Sequence, residues 1–141
     1  MVLGQAQDIA AETAATPLNL DQITELQGNK TGALIEWAAV AGPIMAGADR
    51  GPLAAYSKAL GLAFQIADDI LDVEGDESAV GKALRKDDAA GKATFVSLLG
   101  LDGAKARAAE QVEQACDALA AYGPNAASLK DAARFVIERR A

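Results

Sequence analysis

Gln65, Asp68, Asp69 and Asp72 stand at i, i+3, i+4 and i+7 in the run Leu60-Gly-Leu-Ala-Phe-Gln-Ile-Ala-Asp-Asp-Ile-Leu-Asp-Val73. On a helix that spacing gathers them into one narrow polar stripe. Leu60, Phe64, Ala67 and Leu71 form a second stripe, and Ile66, Ile70 and Val73 close most of the remaining surface. An amphipathic helix normally hides its apolar face and shows a broad polar one. This segment asks for burial nearly all round, except along a line that carries three carboxylates. Like charges one turn apart repel weakly in water and more strongly when partly desolvated; a cation bound between them removes the penalty. Oxygen donors suit a hard cation, and Mg²⁺ takes one or two carboxylates and completes its shell with water and substrate phosphate. The chemistry implied is metal-assisted binding of a phosphorylated ligand.

Complementary charge lies on both sides of the stripe. Downstream, Gly81-Lys82, Lys86-Asp87 and Gly91-Lys92-Ala-Thr94 bring three lysines within eleven residues, and upstream Lys30-Thr31-Gly32 opens a segment of small residues. Lysines bind phosphate as point charges, and a helix N-terminus with a Thr hydroxyl adds donors. Each lysine alone reads as a solvated surface residue. Together with the aspartate stripe, a Mg²⁺-diphosphate site accounts for them better.

The elements that must position these residues are helical from end to end, with no convincing strand. Val2 to Ala14 reads as a helix without a capping residue before it, as if it began before the chain does, and Thr16-Pro17 breaks it. Asn19 with Gln22 resembles a capping box for a short helix ending near Gly28. Thr31 to Ala48 reads as a helix kinked or interrupted at Gly42-Pro43, and Pro52 starts a long central helix through Val73. A polar loop, Glu74 to Lys92, and a short helix, Thr94 to Leu99, follow. Asp102 is then expected to cap a helix whose buried stripe is Ala108, Val112, Ala115, Leu119 and Tyr122. Gly123-Pro124 ends it, and a last helix from about Asn125 to Arg140 turns Leu129, Ala132, Ala133, Val136 and Ile137 inward.

Composition agrees. The 141 residues suffice for one domain, 1–141, with a core of its own. Apolar residues make up 51% but aromatics only 4%, which suits closely packed helices of Ala, Leu, Ile and Val. A net charge of −7 without a basic cluster argues against nucleic acid as a partner. The single cysteine, Cys116, forbids an intramolecular disulfide, fits a reducing, cytoplasmic setting, and reads as a small core residue. With no histidine in the chain, catalysis would rest on carboxylates, lysines, metal and positioning. The start shows no secretory pattern. The most membrane-like stretch, Thr31 to Ala48, contains Glu36 and Pro43 and is mostly Ala and Gly, so no membrane span is expected.

The run Leu60 to Asp72 resembles the second aspartate-rich signature of the isoprenyl diphosphate synthases, the farnesyl and geranylgeranyl diphosphate synthase family. Gly4-Gln5 with Asp8 resembles that family's Gly-Gln-x-x-Asp helix, and Lys30-Thr31-Gly32 its Lys-Thr-Gly segment. Gly81-Lys82 and Lys92-Ala-Thr-Phe-Val-Ser-Leu-Leu-Gly100 are similar to its following loop and short helix, and Phe135-Val-Ile-Glu-Arg139 to its C-terminus. The likeness implies an all-α helical bundle, the C-terminal half of an isoprenoid (terpenoid) synthase fold. It implies a Mg²⁺-dependent prenyltransferase that condenses an allylic diphosphate with isopentenyl diphosphate. Asp68 would be the principal metal ligand, with Asp69 and Asp72 in the outer shell. Lys30, Lys82 and Lys92 would hold the allylic diphosphate, Thr31 and Gln65 would turn oxygens toward the allylic cation, and Asp87 would support the lysine loop.

Two departures stand out. Arg85 occupies a position where the family usually has glycine. Full members are also much longer, and their first half carries another aspartate motif and the basic residues for isopentenyl diphosphate. Met1 coincides with a methionine the family has just before its Gly-Gln, as a truncation or internal start would give. The expectations are therefore two: the C-terminal half of a prenyltransferase, inactive alone and either homodimeric or associated with the missing half; or a non-catalytic helical subunit or remnant that binds a partner or diphosphate without turnover.

Overall fold

The computed structural model describes residues 1–78 and 93–139, with backbone only for 75–78. Among them every regular element is helical: α1 (Val2–Glu12), α2 (Leu20–Gln27), a π-helical turn (Gly28–Gly32), α3 (Ala33–Ala46), α4 (Gly51–Ser78), α5 (Phe95–Ala118), a 3₁₀ segment (Ala120–Ala126) and α6 (Ala127–Glu138).

Local chemistry sets many of the ends. Asn19 and Gln22 exchange both bonds of a capping box, each 2.9 Å, and Thr94 and Ser97 do the same at the start of α5. At the end of α3, Gly47 takes φ +62°, and the Gly47 and Ala48 N–H groups return to the Ile44 and Pro43 carbonyls. That is the pairing of a Schellman end, which glycine adopts without steric cost. The expected interruption at Gly42-Pro43 does not occur. Pro43 lies in the last turn of α3, where one lost backbone bond is tolerated by an already terminating helix.

α4 is the central helix and packs most extensively against α5. One cluster joins Tyr56, Ala59, Ala63 and Ala67 of α4 to Val112, Ala115 and Leu119 and to Ala126, Ala133 and Val136. A second joins Ile23 of α2 and Ile66 and Ile70 of α4 to Phe95, Ala104 and Ala108 of α5. Alanines at the crossing points let the helices approach closely, while Ile66, Phe95 and Leu119 are the largest fully buried apolar side chains. Burying each such large side chain stabilises the fold by about 1.5–3 kcal/mol. Cys116 is half-buried at the edge of the first cluster, in keeping with a packing role.

Three expectations fail for geometric reasons. Tyr122 was expected inside but is exposed, because the chain leaves the α-helical period after Ala118 and enters the 3₁₀ segment. Asp102 is not the start of a helix, since the break in α5 falls at Gly100 (φ +72°, ψ 163°). On α6 only Ala133 and Val136 are buried; Leu129, Ala132 and Ile137 are exposed, because the helix meets the core along a narrower line than its apolar residues would cover. Apolar faces of α1 (Val2, Leu3, Ile9) and α3 (Leu34, Trp37, Ile44, Met45) are uncovered.

Candidate functional site

Two walls face each other across a cleft of about 400 Å³. One comes from α1, the end of α2 and the π-helical turn and contributes Asp8, Gln27, Lys30 and Thr31; the other is α4, with Gln65, Asp68, Asp69 and Asp72. Ile23, Leu26 and Phe64 add apolar lining, and Thr94 stands at the start of α5.

The first wall is built differently from the expected helix N-terminus at Lys30. Gln27, Gly28, Gly32 and Ala33 all hold right-handed helical dihedrals, so α2 runs through the π-turn into α3 without a stop. In a π-turn each N–H bonds to a carbonyl five residues back, so the donors of a free helix end are spent and the chemistry falls to side chains. Two glycines clamp the turn. A Cβ on Gly4 would lie 2.2 Å from the Lys30 backbone nitrogen, and one on Gly61 would lie 3.2 Å from the Gly32 Cα. α1 and α4 therefore touch the backbone of the turn from opposite sides, with room for hydrogen and nothing larger at Gly4. Two adjacent pairs then register α1 against the turn. Asn29 Nδ2 donates to Gln7 Oε1 at 3.0 Å, and Lys30 Nζ donates to Asp8 Oδ2 at 2.6 Å, with the Asp8 side chain 17% exposed.

The second wall is the polar stripe of α4. Gln65 is buried, Asp69 half-buried, and Asp68 and Asp72 are exposed to the cleft. Asp69 Oδ2 accepts the Phe95 N–H at 2.7 Å. Its charge thus sits at the N-terminus of α5, where orphan backbone donors and the helix dipole favour an anion. Asp68 Oδ1 accepts from Arg139 Nη2 at 3.2 Å, and the Arg139 guanidinium lies 4.4 Å from the centre of the Phe64 ring. Arg139 is thereby bound to α4 by both a carboxylate and a ring.

The structure brings Lys30, Thr31, Gln65, Asp68, Asp69 and Asp72 to one cleft. Lys82, Lys92 and Asp87 lie outside the described residues. Among the described residues no three acidic groups converge closely enough to hold a metal ion unaided. A second cavity, about 330 Å³ between α4, α5 and α6, is lined by Ala67, Ile70, Ala108 and Val136 together with Glu74, Lys105 and Arg139, and there Lys105 Nζ pairs with Glu74 Oε1. Gln7, Gln27, Asn29, Gly61 and the contact of Arg139 with Asp68 were not singled out in the sequence; the partners lie far apart along the chain, and no local spacing announces them. Asp8 was noted only within its motif.

The Polyprenyl synthetase family model matches residues 1–133. The chain belongs to this family. Among curated polyprenyl synthetase relatives, farnesyl diphosphate synthase of Escherichia coli (strain K12) is 38% identical, over 96% of this chain and 47% of its own length. Geranylgeranyl diphosphate synthase of Cyanophora paradoxa is 34% identical, over 99% of this chain and 47% of its own. The chain thus spans about half the length of the curated relatives it matches. Among solved structures, an FPP/GFPP synthase from Zymomonas mobilis superposes with a TM-score of 0.80 at 43% identity, over 96% of this chain and 45% of that one. A Helicobacter pylori geranyltransferase complexed with magnesium and isoprenyl diphosphate superposes with a TM-score of 0.73 at 35% identity, over 98% of this chain and 46% of that one. The all-α fold of the polyprenyl synthetases is thus shared.

Proposed function

We propose that this chain carries one side of a Mg²⁺-dependent prenyltransferase site. The reaction would condense an allylic diphosphate with isopentenyl diphosphate, giving a short-chain product such as farnesyl or geranylgeranyl diphosphate in isoprenoid biosynthesis. The observation that carries the proposal is the cleft itself, where an apolar helix turns its line of carboxylates toward Lys30 and Thr31.

The donor set fits the metal. Carboxylate oxygens match a hard cation, and Mg²⁺ takes one or two carboxylates and completes its shell with water and phosphate. Asp68 would hold it most directly; Asp72 and Asp69 would act through water, Asp69 being already bonded to α5. A magnesium ion there supplies positive charge that stabilises the leaving diphosphate.

The remaining work belongs to side chains. Asp8 holds the Lys30 ammonium at the cleft wall, from which it can pair with a diphosphate oxygen. The allylic C–O bond breaks with its electron pair leaving on the diphosphate. The Thr31 and Gln65 oxygens would lie along the cation that develops, in surroundings where fixed dipoles count for more than in water. The alkene of isopentenyl diphosphate would supply the electrons of the new C–C bond, and the adjacent carbon would give up a proton to the departed diphosphate. Lys82 and Lys92 would add to the diphosphate site.

A second reading is favoured by the uncovered apolar faces of α1 and α3 and by the chain spanning about half of its relatives. In it the chain as given binds diphosphate without turnover and pairs through those faces, with a second copy or with a chain supplying the other half of the site. A cytoplasmic setting accords with both readings; among the described residues no helix is long and apolar enough to cross a membrane.

Calorimetric titration of the chain with inorganic pyrophosphate, with and without Mg²⁺, tests the site. Binding should require Mg²⁺, weaken at least tenfold in Asp68→Ala, and be unchanged in Cys116→Ser. Mg²⁺-independent binding, or equal affinity in Asp68→Ala, would overturn the assignment. Product formation from allylic and isopentenyl diphosphates by the chain alone would overturn the second reading.

A further inference from the structure

Arg139 is the C-cap of α6 and reaches across to α4. Its backbone N–H returns to the Phe135 carbonyl at 2.9 Å, so the side chain hangs from a fixed helix end. The guanidinium lies over the Phe64 ring, 4.4 Å from its centre, and one nitrogen, Nη2, donates to Asp68 Oδ1 at 3.2 Å. Asp68 is the carboxylate assigned the most direct metal contact, and a cation of the protein's own already holds one of its oxygens.

That hold is incomplete. An arginine paired with a carboxylate at full strength makes two parallel bonds of about 2.7–2.9 Å; Asp68 receives one, at 3.2 Å. Arg139 Nε is shut off from solvent and donates to nothing. A buried donor left unpaired is costly, and swinging the guanidinium outward would let water satisfy it. α6 adds little support, since Ala133 and Val136 are the residues it buries. The Asp68 side chain is 54% exposed, so a dissolved ion can reach it. Two cations cannot share this carboxylate freely. An ion that takes Oδ1 displaces Nη2, and one that takes Oδ2 stands beside a guanidinium charge that repels it.

We infer that Arg139 is a resident counter-ion of the aspartate stripe, an autoinhibitory contact that opposes metal on Asp68 and is released when metal enters. The inference rests on the prenyltransferase reading, since it takes Asp68 as a metal ligand. It also makes the end of α6 a reporter: metal on Asp68 frees the guanidinium, and the last turn loses its side-chain anchor on α4.

Mn²⁺, a paramagnetic stand-in for Mg²⁺, tests the contact without diphosphate, the free ion being counted by electron paramagnetic resonance. Arg139→Gln should bind Mn²⁺ about fivefold more tightly than wild type, the size of a partly exposed ion pair. Arg139→Lys keeps a cation within reach of Asp68 and should stay within about a factor of two. Arg134→Gln removes the same charge from the same helix, where Arg134 pairs with Asp131 outside the cleft, and should change nothing. Saturating Mg²⁺ should quicken hydrogen exchange of the amide at position 139 about threefold in wild type, as local opening becomes easier, and leave it unmoved in Arg139→Gln. Equal or weaker Mn²⁺ binding in Arg139→Gln, equal tightening in Arg134→Gln, or unmoved exchange in wild type would overturn the counter-ion role. Asp68→Asn separates that failure from failure of the site. If it loses Mn²⁺ binding, Asp68 stands as a metal ligand whatever becomes of Arg139; if it binds Mn²⁺ as wild type does, or if none of these proteins binds the ion, the metal reading falls as well.

Discussion

The two walls of the cleft are held by opposite means. The Lys30–Thr31 turn is fixed through its backbone, pressed between Gly4 of α1 and Gly61 of α4. The aspartate stripe is fixed through side chains, with Asp69 bonded to the first N–H of α5 and Asp68 held by Arg139. Backbone contact leaves no slack, so one methyl group displaces the whole turn. Side-chain capture leaves rotamers free, so a carboxylate can exchange its protein partner for a ligand. The difference suits their proposed tasks: a lysine that stays in one place, and carboxylates that take up and release metal.

The largest effect should come from Gly4→Ala. Its Cβ would meet the Lys30 nitrogen at 2.2 Å and the Lys30 Cα at 2.4 Å, backbone against backbone, so no flexible side chain can give way. We expect a loss of about 3 kcal/mol, the upper range for overpacking, read as a lowered denaturant midpoint together with weakened pyrophosphate binding. A variant with unchanged midpoint and affinity would remove the claim that backbone contact fixes this wall.

Asp69 probes the opposite wall at smaller amplitude. Asp69→Ala leaves the Phe95 N–H unpaired beside the core and should cost about 1–2 kcal/mol, as the loss of a helix cap does. Asp69→Asn keeps an acceptor and should recover most of that. If Asp69 served the metal alone, both variants would fold with wild-type stability and lose Mg²⁺-dependent binding together.

Gly61→Ala sharpens the comparison, because the same clamp is looser on that side. The new Cβ would lie 3.2 Å from the Gly32 Cα and 3.7 Å from Ile35 Cδ1. Alanine gains up to about 1 kcal/mol in helix propensity, and the crowding offsets it. A net change under about 1 kcal/mol is expected, with a modest drop in pyrophosphate affinity as Thr31 shifts. A loss as large as that of Gly4→Ala would show the two sides to be equally tight.

What could be read from the sequence divides along the same line. The stripe was legible because Gln65, Asp68, Asp69 and Asp72 lie within one helix, and a 3.6-residue period maps spacing directly onto a face. The Asn19–Gln22 capping box was legible for the same reason, its partners being three residues apart. The π-turn was not. Gly28 reads as a helix stop when taken in the left-handed conformation, but here it is right-handed, with φ −58° and ψ −45°. The Gln7–Asn29 and Asp8–Lys30 pairs join positions 22 residues apart, a separation set by how α1 folds back on α2 and by no local rule. Tyr122 and Leu129 misled because an apolar residue shows a helix can be buried there, without showing how wide the neighbouring surface is.

The smallest effect lies away from both walls and serves as their control. Tyr56 is buried between α4 and α6, and its hydroxyl donates to the Leu129 carbonyl at 2.8 Å. Burial, and then the nearby Cys116 thiol, raise the phenol's pKa above its ordinary 10.0. The folded state therefore favours the neutral phenol. Below pH 10 the group is protonated in folded and unfolded chains alike, and stability does not depend on it. As pH rises through 10 the unfolded chain ionises first, and stability falls until the folded pKa is passed. Tyr56→Phe removes that alkaline slope, at the cost of about 1 kcal/mol at neutral pH for the lost hydrogen bond to Leu129. Mg²⁺-dependent pyrophosphate affinity should be the same in both proteins at neutral pH, since Tyr56 does not line the cleft and its hydroxyl bonds to Leu129, outside it. Urea midpoints between pH 8 and 11 decide it. Parallel curves for the two proteins above pH 10 would mean that the phenol is not what ties α4 to α6, and a drop in affinity would mean that the core and the cleft are coupled through α4.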